Sequence, residues 1–91
     1  MKLRDVERRL VAVLDQSAGL LPPEKIEEIA SYASYNEPGV ALEDFCTYVY
    51  DHDVKLPEAI AQELAEIAAM MKVTLPPWIG NPSWVPPIRD N

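Results

Sequence analysis

The sequence has little of several residue types on which common functional sites depend. Its 91 residues include one cysteine, one histidine and three glycines. A single cysteine cannot form an internal disulfide, so the composition predicts a reducing, cytoplasmic location. One histidine and one cysteine fall short of the ligand set of a zinc site. The three glycines lie far apart, which excludes a glycine-rich phosphate loop. We therefore expect no metal and no cofactor.

Positive charge and long apolar runs are also scarce. Fifteen acidic residues against eight basic residues give a net charge of −7. This balance argues against nucleic acid or an anionic membrane surface as the direct partner, because both would repel the protein. No run approaches the roughly 18 apolar residues that a membrane span needs. The first ten residues, MKLRDVERRL, lack the apolar core of a signal peptide.

What is present before residue 74 is a helical pattern. Apolar residues recur there at three- and four-residue spacing, which is typical of amphipathic helices. The pattern is interrupted near Gly19, at 36–39 and at 51–57, and prolines stand where new helices would begin. Short connections favour antiparallel packing of neighbouring helices. The sequence therefore predicts an all-α fold, a compact bundle of about four helices. The expected apolar stripes are Leu3, Val6, Leu10, Val13 and Leu14, then Ile26, Ile29, Ala30 and Ala33, then Leu42, Phe45, Cys46 and Val49, then Ile60, Leu64, Ile67 and Met71.

The C-terminal residues have a different composition. Residues 74–91 hold five of the nine prolines and both tryptophans, Trp78 and Trp84. The prolines exclude a helix, but the segment is too apolar for a freely solvated tail. We predict a helical domain at 1–73 and an extended Pro/Trp-rich tail at 74–91 that packs on the helical body. The alternative is a polyproline ligand for an aromatic groove on another protein.

Cys46 and His52 are the obvious candidates for catalysis, with a thiol as nucleophile and an imidazole as base. On one continuous helix they would point about 120° apart and lie ~9 Å apart along the axis. They could not then form a catalytic dyad. We interpret Cys46 as a small core residue and His52 as a polar residue near a helix C-terminus, and we predict that the protein is not an enzyme.

The negative charge is concentrated in the middle of the chain. Residues 24–66 contain eleven acidic residues and two lysines, and all four tyrosines lie in this stretch. Unpaired carboxylates three or four residues apart weaken a helix, which suggests a partner that supplies positive charge. Tyrosines are favoured as interface anchors. The alternative is a surface that is acidic only for solubility. The candidate partner-binding residues are Glu28, Tyr35, Glu37, Glu43, Asp44, Thr47, Tyr48, Tyr50, Asp51 and Asp53.

One stretch resembles a known family. Residues 37–56, EPGVALEDFCTYVYDHDVKL, are similar to the core motif of the MafI-like immunity proteins of bacterial polymorphic-toxin and contact-dependent growth inhibition systems. The shared pattern is E-P-G-[IV]-A-x-E-x-[LF]-C, followed by an aromatic and an acidic residue and a short loop into the next helix. The matching positions are Glu37, Pro38, Gly39, Val40, Ala41, Glu43, Phe45, Cys46, Tyr50, Asp53 and Leu56. The tail at 74–91 is not part of the pattern.

The resemblance implies a small all-helical protein without catalytic activity that binds the C-terminal domain of a cognate toxin in the producing cell. Such toxins are commonly nucleases with basic clefts, although ionophore toxins also occur in these systems. An acidic, tyrosine-bearing face could occupy such a cleft or bind beside it. The resemblance also implies that the motif residues mainly hold the fold. The alternative function is a non-catalytic regulatory or scaffold module whose Pro/Trp tail docks on a partner protein.

Overall fold

The computed structural model describes residues 3–76 and residue 79, and four α-helices make up most of this part of the chain. The helices are α1 (Leu3–Gln16), α2 (Pro23–Ser34), α3 (Pro38–Asp51) and α4 (Glu58–Met71). No β-strand occurs within this part, so the predicted all-helical bundle of about four helices is confirmed. None of these helices is long and apolar enough to cross a membrane.

Prolines mark where three of the helices begin. Pro22 is the N-cap of α2 and Pro23 its first residue, Pro38 is the first residue of α3, and Pro57 is the N-cap of α4. Proline is well suited to these positions because the first amides of a helix have no intrahelical acceptor. The three helix starts therefore follow directly from the sequence.

The helix ends use left-handed backbone. Gly19 follows α1 with a φ of 90°, and Asn36 follows the C-cap of α2 with a φ of 60°. Asp53 lies just beyond α3 with a φ of 50°, and Lys72 caps α4 with a φ of 59°. Glycine and asparagine favour this region, whereas lysine has no such preference. The sequence indicated breaks near Gly19, Asn36 and Asp53 and a domain end at residue 73. It did not indicate that Lys72 would adopt the left-handed conformation.

The core lies between the helices and contains most of the predicted apolar stripes. Phe45 is among its largest fully buried side chains. In α2 the burial is shared unevenly, since Ile29 and Ala33 are buried and Ile26 and Ala30 are half-buried against the core. The buried hydrophobic residues are Val6, Leu10, Val13, Leu14, Leu21, Ile29, Ala33, Ala41, Leu42, Phe45, Cys46, Val49, Ile60, Ala61, Leu64, Ile67 and Ala68.

Not every pair of consecutive helices packs closely. The helix α2 packs on α3, and α1 contacts all three other helices, but α4 packs mainly on α1 rather than on α3. In the connection before α4, Val54 and Leu56 are themselves packed against the core. The connection between α3 and α4 therefore takes part in the packing of the core.

Part of the C-terminal segment also contacts the helical body. Leu75 and Ile79 are half-buried and pack against the core. Both predicted anchors, Trp78 and Trp84, lie outside the described residues, as does everything after Ile79. The packing of the whole tail at 74–91 thus stays a prediction.

Candidate partner-binding surface

A lysine on α2 joins two of the predicted surface residues. The Lys25 ammonium donates hydrogen bonds to Glu28 Oε2 at 2.7 Å and to Asp44 Oδ1 of α3 at 3.2 Å. Its Nζ atom also lies 5.8 Å from the centroid of the Tyr48 ring. We call Lys25, Glu28, Asp44 and Tyr48 the Lys25 cluster. It brings three predicted residues together, but one positive charge now offsets part of their negative charge.

The two carboxylates of the Lys25 cluster differ in environment. The pKa of Asp44 is raised, first because burial disfavours its charged form and then because it lies next to Glu28. Its Oδ2 atom is buried and has no hydrogen-bond partner among the described residues. The pKa of Glu28 is lowered, mainly by the hydrogen bond from Lys25. The pKa of Lys25 is raised, mainly by the same hydrogen bond.

These shifts predict that both carboxyl groups titrate away from their ordinary range. We expect Asp44 to protonate at a higher pH than an ordinary aspartate, and Glu28 to protonate at a lower pH than an ordinary glutamate. Carboxyl carbon chemical shifts followed by NMR from pH 7 to pH 2 would measure both transitions. Replacing Lys25→Gln should raise the pKa of Glu28, because the main cause of its lowering is removed.

The two shifts act on stability with opposite signs. Since the folded pKa of Glu28 is lowered, its contribution is complete above the ordinary value of 4.5 and is lost as the pH falls through the folded value. Asp44 has a raised folded pKa, so its ionised form costs stability at neutral pH and that cost disappears on protonation. A folded pKa of Glu28 above its ordinary value, or a folded pKa of Asp44 below its ordinary value, would contradict this account of the Lys25 cluster.

The C-terminal end of α3 carries a stacked pair of rings. The Tyr48 and His52 rings have centroids 4.0 Å apart and an interplanar angle of 25°. His52 is exposed and is the C-cap of α3, where its backbone N–H donates to the Tyr48 carbonyl at 3.1 Å. We call these two residues the aromatic pair. The pairing follows from their spacing of four residues, which places side chains on the same helix face. This pair was not predicted from the sequence, where His52 was interpreted alone.

Most of the other predicted residues on α3 lie on its outer side. Glu43, Thr47 and Asp51 are exposed. With about 100° of rotation per residue, these three positions continue the surface that begins at Asp44 and Tyr48. We call these five residues the α3 outer surface. Tyr50 is half-buried at the edge of this surface that lies opposite Tyr48. Asp53 is exposed just beyond the end of the helix.

Tyr35 and Glu37 lie farther away. Tyr35 is the C-cap of α2 and is 78% exposed. It lies ten positions after Lys25, a distance of ~15 Å along the helix axis. Glu37 is the N-cap of α3, about 10 Å along that helix from Asp44. The ten predicted residues therefore do not form one compact patch.

Ion pairs offset part of the negative charge on one side of the molecule, where α1 packs on α4. Arg9 of α1 donates to Glu63 Oε1 at 2.7 Å and to Glu66 Oε1 at 3.0 Å, both on α4. These two carboxylates account for part of the acidic surplus found in the sequence. Sequence reasoning missed the pairing because its partners are more than fifty residues apart.

The acidic side is formed by α2 and α3. Glu24, Glu27, Glu43 and Asp51 are exposed there, and none of them forms an ion pair with another side chain that the structure describes. Lys25 offsets one charge of the Glu28 and Asp44 pair. The excess negative charge is therefore larger on this side: α2 and α3 hold six acidic residues against one lysine, and α1 and α4 hold six acidic residues against three arginines.

Cys46 lies in the core and not at the surface. It is buried on α3, and burial together with the charge of Glu43 raises the pKa of its thiol to about 12. The helix α3 is continuous to Asp51, and His52 is its C-cap. Cys46 and His52 therefore point away from each other and cannot form a dyad. The residues that the structure describes also contain no group of three or more potential metal ligands.

The environment of Cys46 predicts an unreactive thiol. A rise from 9.0 to about 12 leaves roughly a thousandfold less thiolate at pH 8, and burial blocks access as well. We expect a disulfide reagent to modify Cys46 slowly in buffer and rapidly in urea. A Thr47→Cys variant is a matched control because it adds a thiol at the exposed neighbouring position, which should react fast. Rapid modification of the native protein would contradict the buried position.

Comparison with protein families, with curated proteins and with solved structures finds no match for this chain. The function of the chain is therefore inferred from the surface described above and from the resemblance of residues 37–56.

Proposed function

We propose that this chain is an immunity protein of the MafI-like type, which binds the C-terminal domain of a cognate toxin and neutralises it in the bacterial cytoplasm. The proposed partner is a basic, nuclease-like domain, and the association is stoichiometric and not catalytic. The observation that carries the proposal is the uneven charge of the bundle. Two of the three carboxylates of α4, those of Glu63 and Glu66, are paired with Arg9. Among the described residues, the exposed Glu24, Glu27, Glu43 and Asp51 of α2 and α3 have no such partner.

The charge on α2 and α3 suits a nuclease as partner. A nuclease binds a polyanion, so its active cleft carries positive charge. An acidic surface accelerates encounter with such a cleft and excludes the phosphate backbone once it is bound. Binding beside the cleft would also block the substrate.

The positions of most motif residues fit a role in holding the fold and not in binding the partner. Ala41, Phe45 and Cys46 are buried, and Pro38 begins α3. These residues stabilise the fold. Glu43 is the motif residue on the α3 outer surface, so recognition would depend mostly on positions between the motif residues.

Co-expression tests the proposal directly. The toxin domain encoded immediately upstream should arrest growth when expressed alone, and this chain should restore growth. The two proteins should also elute together in gel filtration at a fixed ratio. A chain that fails to restore growth and forms no complex with that domain would refute the proposal.

A further inference from the structure

The aromatic pair, Tyr48 and His52, gives the acidic side of the bundle a feature that charge alone does not provide. We propose that the partner places an arginine side chain on this pair, with its guanidinium stacked on the exposed imidazole and its charge balanced by neighbouring carboxylates. The choice of a toxin as the source of the arginine rests on the proposed function. The preference for arginine rests on the surface itself.

The geometry of the rings supports a stacked cation. With centroids 4.0 Å apart and an interplanar angle of 25°, the two rings form a stack. His52, one of its two members, is exposed. A cation already lies near it, because Lys25 Nζ is 5.8 Å from the Tyr48 centroid, within the ~6 Å range of cation–π attraction. Lys25 is held in place by Glu28 and Asp44, so it leaves the exposed His52 ring available.

The charges around the aromatic pair complete the argument. Asp44 lies one helical turn before Tyr48, and Asp51 and Asp53 are the chain neighbours of His52. Arginine combines a planar cation that stacks on rings with five N–H donors suited to carboxylates. Lysine has a compact, strongly hydrated charge and no plane to stack. A surface with both rings and carboxylates therefore favours arginine over lysine at equal charge.

Two peptides of equal charge separate these effects. We would titrate the full chain with acetylated tetra-arginine amide and with acetylated tetra-lysine amide, and follow the Tyr48 and His52 ring signals by NMR. We expect tetra-arginine to bind about two- to fivefold more tightly. His52→Gln should abolish this preference, and because His52 is exposed the variant should fold normally. Tyr32→Leu is the matched control, since it removes an exposed tyrosine of α2 that is not among the candidate partner-binding residues and should keep the preference.

The possible outcomes are clear. Equal affinity for the two peptides would overturn the inference, and so would a preference that survives in His52→Gln or is lost in Tyr32→Leu. The titration does not involve the toxin. A failed rescue of growth would therefore refute the proposed function alone, and a missing arginine preference would refute this inference alone.

Discussion

Reversing two exposed charges on the α3 outer surface, Glu43→Lys together with Asp51→Lys, is expected to weaken binding of the toxin domain by about ten- to hundredfold. Both side chains are exposed and form no ion pair within the described residues, so the fold loses no ion pair. The loss should fall mainly on the association rate, because exposed charges steer the approach of a basic partner. Stopped-flow association measured at several salt concentrations would show this.

The matched control carries the same change in net charge elsewhere. Asp15→Lys with Glu58→Lys alters two exposed positions on α1 and α4 and also changes the net charge by four units. This control should weaken association much less, since position matters within a Debye length of ~8–10 Å. If the two double variants slow association equally, only the overall charge of the protein matters and the α3 outer surface has no special role.

Salt provides a second measurement on the same proteins. The association rate of the native protein should fall steeply with ionic strength, and that of the Glu43→Lys, Asp51→Lys variant should depend on salt weakly. An association rate of the native protein that does not change with salt would remove the electrostatic basis of the proposal.

The fold was largely predictable because its signals are local. The three-to-four-residue spacing of Leu42, Phe45 and Val49 is enough to define one buried face of α3. Prolines such as Pro38 mark a helix start because their chemistry excludes them from a helix interior. Both signals depend only on residues a few positions apart. Neither requires knowledge of which helices meet.

The candidate site was predictable only in part because its geometry depends on contacts between helices. Nothing near Asp44 in the sequence indicates that Lys25 of α2 reaches its carboxylate, and this contact changes the charge of the surface. The pairing of Arg9 with Glu63 links α1 to α4 in the same way. Counts of charge along the chain could locate an acidic segment, but they could not separate its paired carboxylates from its unpaired ones.

The largest expected effect on stability comes from Phe45 at the centre of the core. Phe45 is 1% exposed, and Phe45→Ala removes its entire ring from a packed interior. Such a change costs about 3–5 kcal/mol through lost burial and the cavity that remains. A domain of this size has roughly 5–14 kcal/mol of total stability, so the variant should lose a large fraction of it. Urea denaturation followed by far-UV circular dichroism would measure the loss.

Thr47→Ala is the control for Phe45→Ala, because it lies two residues away on the same helix and is exposed. It should change the free energy of unfolding by at most about 0.5 kcal/mol. Phe45→Ala should also lose toxin binding in proportion to its unfolded fraction, whereas the Glu43→Lys, Asp51→Lys variant should lose binding with its fold intact. If the Phe45→Ala variant unfolded at the same urea concentration as the native protein, the core would not depend on this ring.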